Sequence, residues 1–181
     1  RRTAPFVAVN CAGYPDALLQ AELFGYEKNA CAGIYESKPG KIAQAHGGTL
    51  FLDKIEVLSL TLQKSLLEVI DHRKISRLGA SQAVHVDVRI IAATKVSLRA
   101  RAPGRMLRDE LLSRLSAVPI ELAPLRERTI DIPHLVENFL RYHPVAKSKR
   151  IAAVADKVLG QLMRYSWPGN VRELKNIAEQ I

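Results

Sequence analysis

The sequence has few cysteines, few aromatic residues and no long hydrophobic run. No apolar stretch approaches the ~20 residues that a membrane-spanning helix needs, and the first residues do not have the pattern of a secretion signal. We therefore expect a cytoplasmic protein without membrane contact. The two cysteines, Cys11 and Cys31, form no Cys-x-x-Cys pair. We interpret them as reduced thiols in preference to a disulfide or a metal site.

The charge balance is strongly basic. Lysine and arginine number 27 against 18 acidic residues, which gives a formal net charge of +9. Such a balance favours polyanionic partners: nucleic acid, nucleotide phosphates or an acidic protein surface. The cations are scattered, and the densest group, residues 147–150, has no aromatic residues between them as single-strand binding would require. The charge alone therefore does not distinguish a protein that binds polyanions from one with an ordinary basic surface.

Short apolar runs alternate with helical patterns over the first two thirds of the chain. Buried parallel strands are predicted at residues 5–9, 49–52, 88–93 and, more weakly, 118–122. Apolar residues at helical spacing predict helices at 16–24, 60–72 and 108–115. This alternation indicates an α/β domain with a mainly parallel sheet. A small hairpin, with β-like pieces at 75–78 and 84–86, is predicted to interrupt it.

The pattern changes after about Pro133, where three helices are predicted at residues 134–142, 154–164 and 171–180. Pro168 and Gly169 separate the last two, and Asn170 is a suitable N-cap for the final helix. We therefore expect an α/β subdomain over residues 1–132 and a small helical subdomain over 133–181.

One predicted strand ends in an acidic residue, Asp53. Phosphoryl-transfer folds present a carboxylate in this way, at the carboxyl edge of a sheet, to hold Mg²⁺. An aspartate that closes a strand is more often a turn or cap residue, so this motif alone is a weak signal of a magnesium site.

Several further sequence blocks, which follow one another in a fixed order, strengthen the interpretation of this motif. The blocks lie at residues 7–12, 22–28, 45–53, 86–94, 124–128 and 167–174. The series closely resembles the sigma-54 interaction domain of NtrC-like enhancer-binding proteins, which are bacterial transcriptional regulators of the AAA+ ATPase class. The resemblance covers nearly the whole chain. It implies an AAA+ parallel sheet flanked by helices, followed by a helical lid.

The resemblance also implies ligands and partners. The ligands are ATP or ADP with Mg²⁺, and the protein partner is the sigma-54 factor of RNA polymerase. Self-association into a ring is implied as well, with DNA contacted by a separate domain that these 181 residues do not contain.

Matching positions carry implied roles. Asp53 corresponds to the Walker B aspartate that helps to hold Mg²⁺, and Asn10 to an asparagine that responds to nucleotide state. Arg108 and Arg114 correspond to arginines offered to the ATP of a neighbouring subunit, and Arg172 to the lid arginine that senses the γ-phosphate. A guanidinium suits these roles because its planar, rigid arrangement of N–H donors can make two hydrogen bonds to phosphate oxygens at once.

The phosphate loop of the family is not found. The loop needs G-x-x-x-x-G-K-[ST], and the nearest segment, Pro39-Gly40-Lys41, lacks both the first glycine and the hydroxyl residue. In the family the loop lies upstream of the first strand seen here. We therefore expect the chain to begin inside the domain, without the N-terminal strand and the phosphate-loop helix.

Two lysines replace family residues at the ends of strands. Lys54 stands where the family has the catalytic glutamate, and a lysine, protonated at neutral pH, cannot take a proton from the attacking water. Its charge could instead neutralise phosphate where Mg²⁺ would sit. Lys95 stands where the family has the sensor asparagine.

The loop that contacts sigma-54 is also altered. The family reads Gly-Ala-Phe-Thr-Gly-Ala, whereas this chain keeps only the second and fifth of these residues. The aromatic and the threonine are lost, so productive contact with sigma-54 is not expected. The six residues of this loop are Asn29, Ala30, Cys31, Ala32, Gly33 and Ile34.

These observations lead to three hypotheses. The first is a central AAA+ domain that retains the fold and a link to nucleotide but does not hydrolyse ATP. The second is an active sigma-54 activator whose phosphate loop lies upstream. The third is a basic DNA-binding module, which the charge of +9 favours and the missing DNA-binding motif opposes.

Overall fold

The computed structural model describes residues 3–30, 35–96, 107–142 and 154–180. Within them the chain divides into two compact units, Arg1–Pro119 and Ile120–Ile181. The division lies some way before the change of sequence pattern near Pro133, because residues 125–131 form two short 3-10 turns that belong to the second unit.

The first unit alternates strands and helices. Its elements are β1 (Phe6–Asn10), α1 (Asp16–Phe24), β2 (Gly25–Tyr26), β3 (Lys38–Pro39), α2 (Lys41–Gln44), β4 (Thr49–Asp53), α3 (Leu60–His72), β5 (Lys74–Ile75), β6 (Val84–His85), β7 (Arg89–Ala93) and α4 (Asp109–Leu115). The predicted α/β class is thereby confirmed.

A parallel sheet with the order β1-β4-β7 forms the centre of this unit. Side chains alternate across it, as the pleat requires. Leu50 and Leu52 of β4 are fully buried beneath the helices, whereas Phe51 points to the other face and stacks on Phe6 at a centroid distance of 6.3 Å. Phe6 is 65% exposed, so the core lies on one face of the sheet.

The core is apolar and comes from the sheet and from helices α1 to α4. Leucines at helical spacing on α1 and α3 pack on the buried strand residues. Burial of a leucine contributes about 1.5–3 kcal/mol, so this cluster is the main source of stability in the unit. Its principal members are Leu19, Leu23, Leu50, Leu52, Leu62, Leu66 and Leu111.

The buried side chain of Gln63 joins α3 to α4. Its Nε2 donates to the Leu58 carbonyl at 2.8 Å, and its Oε1 accepts from the Arg108 backbone N–H at 2.8 Å. Arg108 immediately precedes α4. One amide side chain therefore fixes where α4 begins.

The predicted strand at residues 118–122 is wrong. Val118, Ile120 and Leu122 are 81%, 82% and 80% exposed, and the segment has no regular structure. Their alternation with polar residues is typical of a strand, but a strand also needs a hydrogen-bonded neighbour, and no strand among the described residues pairs with this segment. The hairpin is also shorter than predicted, with two residues in each strand.

The described part of the second unit contains three helices: α5 (Ile132–Tyr142), α6 (Asp156–Arg164) and α7 (Asn170–Gln180). They surround a small core of Leu125, Ile132, Val136, Leu140, Trp167 and Leu174. The Trp167 indole N–H donates to the Leu162 carbonyl at 2.7 Å, so this buried aromatic is also satisfied as a donor.

Asn170 has a different role from the predicted N-cap. Its φ is 54°, and its Oδ1 accepts from the backbone N–H of Leu125 at 2.8 Å instead of from an amide of its own helix. The start of α7 is stabilised by Glu173, whose Oε2 accepts from the Gly169 N–H at 2.8 Å. The asparagine therefore joins the first 3-10 turn of this unit to its last helix.

None of the described helices is long and apolar enough to cross a lipid bilayer. Cys11 is a buried free thiol, as predicted, whereas Cys31 and the basic segment 147–150 lie outside the described residues.

Replacement of Gln63 by leucine tests the connection between α3 and α4. Leucine cannot accept from Arg108 N–H or donate to the Leu58 carbonyl, so the free energy of unfolding should fall by about 2 kcal/mol. Urea denaturation measures this change. Lys64→Leu, on the exposed side of the same helix, is the control and should change stability by less than about 0.5 kcal/mol. Equal stability of Gln63→Leu and wild type would contradict the assignment.

Candidate functional site

The carboxyl edge of the parallel sheet brings two of the predicted site residues together. Asn10, Asp53 and Ala93 are aligned partners at the ends of β1, β4 and β7. The Asn10 Oδ1 accepts from the Ala12 N–H at 3.2 Å, and this bond caps the 3-10 turn Cys11–Gly13. Asp53 and Asn10 therefore lie side by side, at the edge where open α/β sheets bind their ligands.

Lys54 has an uncommon backbone conformation directly after Asp53. Its φ and ψ are 57° and 50°, in the left-handed region, and its carbonyl accepts from the Val57 N–H at 3.2 Å. This conformation costs a non-glycine residue about 1–2 kcal/mol. Strained residues of this kind cluster at functional sites.

Two carboxylates act on the buried thiol of Cys11. Burial, followed by the charge of Asp53 and by a smaller contribution from Glu56, raises the pKa of Cys11 to about 11. Glu56 is half-buried, and its Oε2 is enclosed without a hydrogen-bond partner among the described residues. Glu56 is thus a second carboxylate near the sheet edge, and the sequence motif alone did not identify it.

The cation that follows Asp53 makes this edge unfavourable for Mg²⁺. The carboxylates here are Asp53 at the aligned strand ends and Glu56 three residues later; the Asn10 amide oxygen already accepts from Ala12, and the residue after Asp53 is a cation. Among the described residues, no three His, Cys, Asp or Glu side chains gather into a group that could hold a metal ion. Magnesium is bound through carboxylates and phosphates, and a neighbouring ammonium opposes it.

Lys95 follows the neighbouring strand at the same edge. It is two residues beyond Ala93, the aligned partner of Asp53, and is exposed. The turn between them is held by Thr94, whose Oγ1 accepts from the Val96 N–H at 3.1 Å. Sequence reasoning singled out Lys54 and Lys95 separately, and only the strand register shows that they follow adjacent strands.

The two candidate arginines of α4 have partners within their own chain. Arg114 Nε lies 2.9 Å from Asp71 Oδ1 at the end of α3, and Arg108 Nε lies 3.8 Å from Glu110 Oε2. Both guanidinium groups are about half exposed. Solvent-exposed ion pairs contribute only about 0–1 kcal/mol. An incoming phosphate could therefore replace these carboxylates at little cost.

The stem of the predicted partner loop is tightly bound. The Glu27 carboxylate accepts from Ser37 Oγ at 2.6 Å and from Arg77 Nη1 at 2.9 Å, and its backbone N–H donates to the Leu78 carbonyl. The Ser37 hydrogen bond, followed by that of Arg77, lowers the pKa of the Glu27 carboxyl. Residues 27–30 are thereby attached to the segment that follows β5.

The loop itself is only partly described. Asn29 has a φ of 65°, and Ala30 packs so closely on Gly79 that a Cβ there would lie 2.9 Å from the Ala30 Cβ. The remaining predicted loop residues, 31–34, lie outside the described residues.

Arg172 belongs to the second unit, where it is exposed near the start of α7. The structure therefore assigns Asn10, Asp53, Lys54 and Lys95 to one edge of the first unit, the α4 arginines to a helix of the same unit, and Arg172 to the lid.

A groove of about 600 Å³ lies elsewhere in the first unit, between α1, α3 and the β5–β6 hairpin. Phe24, Val69 and Ile75 form its apolar floor, and none of the candidate residues of the sheet edge lines it. The volume would suit a small ligand, but the groove is separate from the chemistry described above.

Comparison with known protein families agrees with the geometry. Residues 1–121 match the model of the sigma-54 interaction domain, and residues 126–181 match that of the AAA+ ATPase lid domain. The chain is 45% identical over 180 residues to the DNA-binding transcriptional activator HyfR of Escherichia coli, covering 99% of this chain and 27% of HyfR. It is 42% identical over 181 residues to the DNA-binding transcriptional regulator NtrC of Azospirillum brasilense, covering 100% of this chain and 37% of NtrC. The chain thus spans only about a quarter to two fifths of these relatives.

Solved structures give the same result. The chain superimposes on NtrX from Brucella abortus in complex with ADP with a TM-score of 0.84 at 34% identity, covering 98% of this chain and 38% of NtrX. The ATP complex of NtrX matches with the same TM-score and identity. Together with the parallel sheet, the aligned Asn10 and Asp53, and the helical second unit, these matches show that the chain belongs to the sigma-54 interaction domain family of bacterial transcriptional activators, with an AAA+ fold and lid.

Proposed function

We propose that this domain binds nucleotide within its full-length protein and serves transcription regulation by assembly, without hydrolysing ATP. The position of Lys54 is the observation that carries the proposal. It directly follows Asp53 at the carboxyl edge of β4, where the family resemblance places the catalytic glutamate. An ammonium group has no lone pair, so it cannot accept a proton from the attacking water.

The nucleotide link is supported by cationic groups that suit phosphate. Arg108 directly precedes α4 and Arg114 lies in its last turn. Both are in exposed ion pairs, so they are available to the nucleotide of a neighbouring subunit in a ring. Arg172 is an exposed arginine of the lid. The nucleotide complexes of NtrX add a precedent from a related fold.

An active ATPase is the alternative, and Glu56 favours it. The enclosed Oε2 of Glu56 has no described hydrogen-bond partner. The negative charge of Glu56, like that of Asp53, raises the pKa of Cys11, which places both carboxylates near this thiol. A carboxylate three residues after Asp53 could take the proton that Lys54 cannot.

ATP turnover by the full-length protein distinguishes these two functions. We expect wild type to be at background and Lys54→Glu to raise phosphate release by about 100-fold, since a positioned base contributes about 10²–10⁴-fold. The double variant Lys54→Glu/Asp53→Ala should return to background. Turnover by wild type that is abolished by Glu56→Gln would instead establish the active alternative.

We further propose that the sigma-54 contact is weakened at the loop tip while the stem is retained. The bonds of Glu27 to Ser37 and Arg77 support a preserved stem. At the tip, Cys31 and Ala32 stand where the family has an aromatic residue and a threonine. Loss of a large aromatic from an interface removes apolar area that would contribute about 2 kcal/mol.

Restoration of the tip tests this proposal. The full-length double variant Cys31→Phe/Ala32→Thr should bind sigma-54 about tenfold more tightly than wild type. Binding can be measured by fluorescence anisotropy with labelled sigma-54. Gln161→Phe, an aromatic added to an exposed position of α6, is the matched control and should not change the affinity. Tight binding by wild type, unaffected by the double variant, would contradict the proposal.

A further inference from the structure

The parallel register brings two lysines to the same place. Asp53 and Ala93 are paired residues of neighbouring strands, and Lys54 and Lys95 lie one and two residues beyond them. Adjacent strands are about 4.8 Å apart. Both lysines therefore follow the carboxyl ends of adjacent strands, at the edge that also carries Asn10 and Asp53.

The charges at this edge are balanced without a metal ion. Asp53 and Glu56 supply two negative charges, and Lys54 and Lys95 supply two positive charges. Two carboxylates with one divalent cation have the same net charge. The two ammonium groups thus carry the same formal charge as the Mg²⁺ ion of a phosphoryl-transfer site.

We propose that Lys54 and Lys95 replace the divalent cation, so that this edge binds the phosphates of a nucleotide without Mg²⁺. This inference rests on the proposed nucleotide binding and specifies its ionic requirement. It follows from the cation that directly follows Asp53 and from the register that makes Lys54 and Lys95 follow adjacent strands.

Lysine suits this role chemically. Its ammonium is a compact charge with three donors, and it binds phosphate as a point charge without demanding the octahedral geometry of Mg²⁺. Lys54 is half-buried, and its left-handed backbone is held by its carbonyl bond to the Val57 N–H, which limits its freedom. Lys95 is exposed and can adjust to the phosphate chain. A pair with one restrained and one adaptable cation can bridge neighbouring phosphates.

ATP binding by the full-length protein, measured by isothermal titration calorimetry in EDTA and in MgCl₂, tests the inference. The dissociation constant of wild type should differ by less than about threefold between the two conditions. For Lys54→Glu/Lys95→Asn, which restores the residues of the family, the affinity in EDTA should fall by about tenfold or more, and Mg²⁺ should recover it.

Arg89→Glu is the control for charge. Arg89 is exposed at the opposite end of β7, about 13 Å along the strand from Ala93. This variant should behave as wild type in both conditions. The variant Lys54→Met, which removes the charge without adding a carboxylate, should weaken binding in EDTA and gain less from Mg²⁺.

The outcomes separate the inference from the proposed function. ATP binding by wild type only with Mg²⁺ would overturn the metal replacement and leave nucleotide binding intact. Metal-independent binding that both lysine variants retain would also overturn it. No ATP binding in either condition would overturn the nucleotide link and this inference together.

Discussion

The parallel hydrogen-bond register of β1, β4 and β7 is the constraint on which the rest of the first unit depends. It buries Leu50 and Leu52 against the helices, and by the same pairing it aligns Asn10, Asp53 and Ala93 at one edge. Because side chains alternate with a period of two, a slip of one residue would expose the leucines. Core packing therefore stabilises the arrangement of the polar edge.

The charged residues at that edge differ from those that the family resemblance implies for this fold. The fold retains a carboxylate at the end of the central strand, yet cations follow both β4 and β7. A site of this composition attracts polyphosphate and disfavours both a divalent cation and a general base. The proposed function, phosphate affinity without turnover and regulation by assembly, is the combination that these two effects favour.

The sequence was sufficient to predict the three strands of the parallel sheet and the long helices, because buried runs and leucine spacing are local patterns. The ordered motifs were sufficient to identify the family. It failed at residues 118–122, where alternation predicts a strand but pairing depends on a distant segment. Asn170 was identified as a cap, whereas its bond to Leu125 spans 45 residues. The positions of Gln63, Asp71 and Glu56 relative to the candidate residues likewise come from tertiary packing, which no local pattern encodes.

The central claim is that Lys54 and Lys95 occupy the place of metal and base. A crystal structure of the full-length protein grown with ATP and Mg²⁺ tests it most directly. The account predicts an intact triphosphate with lysine ammonium groups within about 3 Å of phosphate oxygens and no metal bound to Asp53. A magnesium ion coordinated by Asp53, or ADP formed from the added ATP, would contradict it.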